Sequence, residues 1–252
     1  MTIQLPLAGR AALLTGGTRN IGRALALALA SDGAAVSINS RRYDDDARLT
    51  VKMIEDQGGR AMHVQADVSD EAEVLRMVDE TVTKLGSVDI LVHCAGIRRV
   101  QALQDISLKS WREVMGTNLD AAFLCSKAVV PHMQKGMGRI VFLSGVSAFK
   151  GAPERAHVVA SKAGLVGLAR ALATELADRQ ITVNCIAPGH IDTVRGVDAG
   201  AVPSHLSASA IPLGRLGKTS EVAAMTSLLA SDSGAFITGQ VLHVNGGLFF
   251  GA

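Results

Sequence analysis

The sequence predicts one α/β domain, a doubly wound seven-stranded parallel sheet with helices on both faces. Three observations predict it. Short apolar runs alternate with longer amphipathic stretches along all 252 residues. Apolar residues make up 48% of the chain but aromatics only 3%, so the core must be built from Ala, Val, Leu and Ile, which suit strands buried on both faces. No low-complexity linker, charge run or internal repeat divides the chain, so residues 1–252 read as a single domain.

The strand candidates, in order, are Ala11–Thr15, Ala34–Asn39, Ala61–Ala66, Ile90–Cys94, Ile140–Ser144, Ile181–Ile186 and Val241–Val244. Helical patterns lie between them, at Ile21–Ser31, Asp44–Gln57, Glu71–Leu85, Trp111–Gln134, His157–Asp178 and Ser220–Ala230. Ser69, followed by Asp70 and Glu71, is a start signal for the third helix. Repeats of this kind close into a parallel sheet through right-handed crossovers. The segment from Thr193 to Pro212 breaks the alternation, being rich in Gly, Ala and Ser. Following a strand, it is expected to cover the carboxyl edge of the sheet as a lid, where ligands bind in such folds.

Composition narrows the function. The net charge is +2 with both signs interspersed, and no basic patch interleaved with aromatics points to nucleic acid. The N-terminus MTIQLPLAGR has no basic stretch followed by an apolar core, and no uninterrupted apolar run is long enough to span a bilayer. A cytoplasmic protein without a membrane partner is expected. Cys94, Cys125 and Cys185 show no CxxC or Cys/His spacing, so they read as buried reduced thiols and no metal site is expected.

The first strand runs into TGGTRNIG, Thr15 to Gly22, and a helix follows. Glycines let the backbone turn tightly and approach a pyrophosphate, and the helix N-terminus presents unpaired N–H groups to the anion. At the end of the second strand stand Ser40, Arg41 and Arg42, with no acid until Asp44. An acid there would hold a ribose 2′-hydroxyl; arginines, with Arg19 of the Gly-rich loop, suit a 2′-phosphate instead. The cofactor expected is therefore NADP(H).

These motifs resemble those of the short-chain dehydrogenase/reductase family, whose members share a Rossmann fold, and more specifically its 3-oxoacyl-carrier-protein-reductase-like branch. Gly16 and Gly22 match the family's TGxxxGxG, with Asn20 in place of the middle glycine. Asn tolerates positive φ better than most residues. Asp67-Val68 stands where the family contacts adenine, and His93-Cys94-Ala95-Gly96 stands where it usually has NNAG. Asn118 and Lys162 match its helix asparagine and lysine, ITVNCIAPGHIDT matches its VNxIxPGxxxT, and Asn245-Gly246-Gly247 resembles its DGG. The resemblance implies cofactor contacts at Gly16, Thr18, Arg19, Asn20, Ile21 and Gly22; at Ser40, Arg41, Arg42, Asp67 and Val68; at Cys94, Ala95, Gly96 and Lys162; and at Pro188, Gly189, Ile191 and Thr193. It also implies a homotetramer paired through the helices at 111–134 and 157–178, where Ala121, Ala122, Ala163, Gly164, Gly167 and Ala171 permit close packing.

The family's alcohol chemistry needs a Tyr four residues before the Lys and a Ser thirteen before that Tyr. Here those positions are Val158 and Gly145, and the only tyrosine is Tyr43, beside the expected adenosine end. Three readings stay open. Hydride transfer to a small carbonyl persists, with His157, water or substrate giving the proton. Alternatively, an activated alkene is reduced, or the protein binds NADP(H) without turnover. On the first reading the catalytic candidates are Asn118, Lys162 and His157; Ser144 could replace the serine only from the other face of its strand. Arg98, Arg99, Lys150, Arg155 and His190 are expected to ring the cleft mouth, which suits an anionic substrate.

Overall fold

The computed structural model describes residues 5–194 and 208–251. Seven strands, β1 (Ala11–Thr15), β2 (Ala35–Ser40), β3 (Ala61–Gln65), β4 (Ile90–His93), β5 (Arg139–Leu143), β6 (Thr182–Pro188) and β7 (Val241–Val244), form one sheet in the order β3-β2-β1-β4-β5-β6-β7. Every pairing is parallel. The predicted fold class is therefore present, with strand ends shifted by a residue or two from the sequence reading. Thr15, at the end of β1, lies opposite both Asn39 and His93, so the strand order reverses there and opens a crevice at the carboxyl edge.

Strand alternation builds two cores. Leu13, Leu91, Ile140 and Phe142 face one helical layer, which includes Met77, Cys125 and Leu165. Their neighbours Ala12, Leu14, Ile90, Val92, Val141 and Leu143 face the other, which includes Leu25, Leu29, Ile54 and Leu229. A side-chain period of two on strands covered on both sides gives this division directly. The helices are α1 (Asn20–Ser31), α2 (Asp45–Glu55), α3 (Glu71–Leu85), α4 (Leu108–Met115), α5 (Ala121–Val129), α6 (Ser147–Lys150), α7 (Ala156–Glu175) and α8 (Thr219–Ala230). Although α7 is long and apolar enough by composition to cross a membrane, it packs Leu165, Val166, Ala169 and Ala173 into the core.

Three expectations need correction. The helix expected at 111–134 starts earlier, because Ser107 caps it by accepting from the Ser110 amide; it is interrupted by a π-helical turn at Gly116–Asp120 and ends in a 3-10 turn containing Pro131. Ala121 and Ala122 point into the core rather than to a partner. The one-turn helix α6 had no counterpart in the sequence reading. Of the expected lid at 193–212, residues 195–207 lie outside the described residues.

Candidate functional site

Helix α1 begins at the crevice. Its cap residue Arg19 makes no side-chain cap and its first turn holds no acid, so its positive end faces the cleft without a protein anion on it. Gly16 has φ +68°, and a Cβ there would stand 2.8 Å from the Ala95 backbone. At Gly22 a Cβ would stand 2.0 Å from the Gly16 carbonyl oxygen. Asn20 takes φ +49°, the left-handed conformation expected of a glycine substitute. Its amide also does what glycine cannot: Nδ2 donates to the Val194 carbonyl (2.8 Å) and Oδ1 accepts from the Val194 N–H (2.9 Å). The Gly-rich loop is thereby tied to the chain that follows β6.

At the other rim of the crevice, Arg41 and Arg42 are exposed on the cleft wall beyond β2. The Ser40 hydroxyl donates to the Arg42 carbonyl (2.6 Å) and lies 2.8 Å from His63 Nε2, which fixes this turn. Arg19 reaches toward the same corner, its Nε 3.6 Å from Asp46, which also pairs with Arg23 at 2.7 Å. Asp67 accepts from the Ser69 amide (2.9 Å) and hydroxyl (2.6 Å). Burial opposes its ionisation, but these hydrogen bonds and the Arg41 charge outweigh that and hold its pKa below the ordinary value.

The opposite end of the cleft is where the family's chemistry would lie. Val158 lines the cleft, one helical turn before Lys162. Gly145 lines it too, and a Cβ there would meet only the Ser147 hydroxyl oxygen, at 3.8 Å. Ser144, just beyond β5, also lines the cleft, but its hydroxyl is taken up, donating to the Lys162 carbonyl (2.9 Å). Lys162 is buried, and its ammonium donates to the Leu143 carbonyl. Burial, aided by the Arg98 charge, lowers its pKa to about 8 against the pull of Cys94 and Cys185.

Two further catalytic candidates, Asn118 and His157, are not among the residues that line the cleft, although Asn118 lies behind Gly96 close to the Lys162 ammonium. Asn118, carried by the π-helical turn, is fully buried. Its Oδ1 accepts from Ile97 N–H (2.7 Å), and Nδ2 donates to the Ile97 carbonyl (3.1 Å) and the Ser161 hydroxyl (2.9 Å). All of this side chain positions the loop after β4 and the start of α7, and none of it lines the cleft. His157 is also fully buried, with Nε2 3.3 Å from Gln101 Oε1. About 100° separates adjacent helix positions, so with Val158 on the cleft side His157 faces away. Burial and the Arg99 charge lower its pKa.

Every cofactor contact expected from the sequence lines one cleft of about 1250 Å³. Arg98, Lys150, Arg155 and His190 line it as well. Arg99 does not; it is drawn off to Glu113 (2.5 Å) and Ser110 (3.2 Å). Sequence reasoning missed Ser147 and Thr117 on the cleft wall. The signal for Ser147 was present, two residues beyond the vacated serine position. Among the described residues no group of three His, Cys, Asp or Glu is placed to hold a metal ion.

A family profile described as enoyl-(acyl carrier protein) reductase matches residues 16–249. The chain is 39% identical over 241 residues to the 3-oxoacyl-[acyl-carrier-protein] reductase FabG of Staphylococcus aureus, covering 95% of this chain and 98% of the relative. A short chain dehydrogenase from Burkholderia cenocepacia, solved in complex with NADP, superposes with a TM-score of 0.90 at 36% identity, covering 96% of this chain and 99% of the other. A blue fluorescent protein from a metagenomic library, solved in complex with NADPH, gives a TM-score of 0.91 at 34% identity, covering 97% and 100%. The chain thus belongs to the short-chain dehydrogenase/reductase family.

Proposed function

We propose that the protein is an NADP(H)-dependent oxidoreductase that transfers hydride between its cofactor and a small carbonyl, alcohol or activated alkene. The observation that carries this reading is the cleft's nucleotide end. An acid-free helix start lies beside three arginines, Arg19, Arg41 and Arg42, on the wall where a 2′-phosphate would stand. The donor set fits the cofactor. Arg41 and Arg42 would hold the 2′-phosphate, the α1 N-terminus the pyrophosphate, Asp67 and Val68 the adenine, and Lys162 the nicotinamide ribose. When bound, the nicotinamide supplies or accepts the hydride.

The chain itself binds and orients. With Val158 and Gly145 in the cleft, no tyrosine hands over a proton, and water in the cleft is the proton source in this reading. The cations Arg98, Lys150 and Arg155, with His190 beside them on the cleft wall, favour an anionic substrate. Because relatives are named 3-oxoacyl-[acyl-carrier-protein] reductases, a 3-oxoacyl thioester is the first substrate to try. The second reading, NADP(H) binding without turnover, is favoured by the same two lost hydroxyls.

Deuterium transfer separates the two readings. Nicotinamide-deuterated NADPH is incubated with acetoacetyl-CoA and a panel of ketones and enones. Label in a product supports the first reading; tight NADPH binding with no label in any product supports the second. The assembly belongs to the same proposal: a cytoplasmic homotetramer paired through α5 and α7. Ala163, Gly167 and Ala171 stand four residues apart on the exposed side of α7, and Phe123 of α5 is half exposed. Light scattering at micromolar concentration is expected to give four copies, and a monomer contradicts it.

A further inference from the structure

We propose that Ser147 is the hydroxyl that holds the substrate oxygen in this cleft, in place of the serine missing at Gly145; the proposal rests on the reductase reading above. The hydroxyls around the vacated position divide cleanly. Ser144 donates to the Lys162 carbonyl, and Ser161 donates to the Val158 carbonyl (2.8 Å) while accepting from Asn118. Thr15 is bound to His93 (2.9 Å) and to the amides of Cys94 and Ala95. Ser147 lines the cleft half-buried, as Ser144 also lines it, but the Ser147 hydroxyl has no hydrogen-bond partner among the described residues.

Its position also fits. A Cβ built on Gly145 would stand 3.8 Å from the Ser147 Oγ, with no other heavy atom beyond its chain neighbours within 4 Å. A serine at 145 would project its oxygen into the space that the Ser147 hydroxyl borders. The turn that leads into α6, closed by the Ala148 N–H donating to the Gly145 carbonyl (3.0 Å), sets the Ser147 hydroxyl beside position 145. Loss of the hydroxyl at 145 therefore leaves an oxygen-binding donor in the same part of the cleft.

In the step Ser147 serves, hydride adds to the carbonyl carbon with NADPH as reductant. The π pair of the C=O bond moves onto oxygen, where the Ser147 O–H donates a hydrogen bond to the growing negative charge. That oxygen then takes a proton from water in the cleft, leaving an alcohol, NADP⁺ and hydroxide, which the buffer neutralises. Ser147 loses no proton in the cycle.

Two measurements test the assignment. The first is calorimetric binding of acetoacetyl-CoA to the NADP⁺-saturated protein, a pair that cannot react by ketone reduction. Ser147→Ala is expected to weaken the probe about 3- to 10-fold and leave NADP⁺ affinity unchanged, while Ser147→Thr keeps the probe affinity. The second is turnover of acetoacetyl-CoA in a Val158→Tyr background, which supplies a strong proton donor. Adding Ser147→Ala there is expected to lower kcat about 10²–10³-fold, and adding Gly145→Ser to that double variant to recover most of it. The proposal is overturned if Ser147→Ala changes neither probe affinity nor turnover of the Val158→Tyr protein. If no variant, including the triple one, binds or reduces the probe, the proposal is overturned, and label transfer from deuterated NADPH to the ketone and enone panel decides separately whether the reductase reading stands.

Discussion

At the adenosine end of the cleft, the groups that would meet a ligand are backbone amides at a helix start and the arginines 19, 41 and 42. At the other end, the groups that would handle a proton are Val158 and Gly145, which have none to give. The difference follows from how each end is built. Gly16 and Gly22 are fixed by close backbone approach, 2.8 Å and 2.0 Å to a hypothetical Cβ, so a substitution there disturbs the fold. Val158 and Gly145 carry no such constraint; they border open space and can change with the fold intact. Binding geometry is therefore tied to stability in this molecule, and proton chemistry is not.

The strongest way to break the contrast is to rebuild the chemical end. Val158→Tyr with Gly145→Ser is expected to raise ketone reduction about 10²–10⁴-fold, the usual contribution of a general acid. The tyrosine can cost about 1–3 kcal/mol of overpacking, so folding and NADPH binding are checked first. A folded, NADPH-saturated double variant with no gain on any ketone means that the cleft has diverged beyond two side chains.

His93 sharpens the contrast from inside the sheet. Burial, with the nearby Lys162 charge, lowers its pKa to about 3. In the unfolded chain it titrates near 6.5, so between these values the unfolded state holds more protons and stability falls as pH falls. His93→Asn, which restores the family residue, removes this loss. From pH 7 to 5, urea unfolding is expected to show the wild type losing about 2 kcal/mol more than the variant. Equal losses contradict the buried neutral imidazole.

At the adenosine end, Arg41→Asp is expected to erase a preference for NADPH over NADH of about tenfold, a modest value because Arg41 is exposed. Paired titrations of the variant check it, and a retained preference moves the phosphate contact elsewhere. The smallest effect belongs to Asn20→Gly. Glycine keeps the φ of +49° and loses only the two bonds to Val194, so the melting free energy is expected to drop by about 0.5–1 kcal/mol. A larger drop would mean that the loop depends on this tie.

The legible parts of the molecule were those set by local rules. Apolar runs gave β1 to β7 to within a residue or two, and the sequence anticipated a positive φ at Asn20. The cofactor wall was legible because it hangs on strand ends. What escaped depends on orientation. His157 and Val158 are neighbours, yet the placement of α7 sends one to the core and the other to the cleft. Arg98 and Arg99 look equivalent in sequence and part ways because Glu113 of α4 takes the second. The π-helical turn under Asn118 has no marker in the side-chain pattern, and α6 is too short for periodicity to show.

The most direct test of the account is a calorimetric titration of the wild-type protein with NADPH and, separately, with NADH. An arginine-lined wall beside a bare helix start predicts saturable 1:1 binding per chain, with the NADPH Kd lower by about tenfold or more. Equal affinity for the two, or no binding of either, contradicts it.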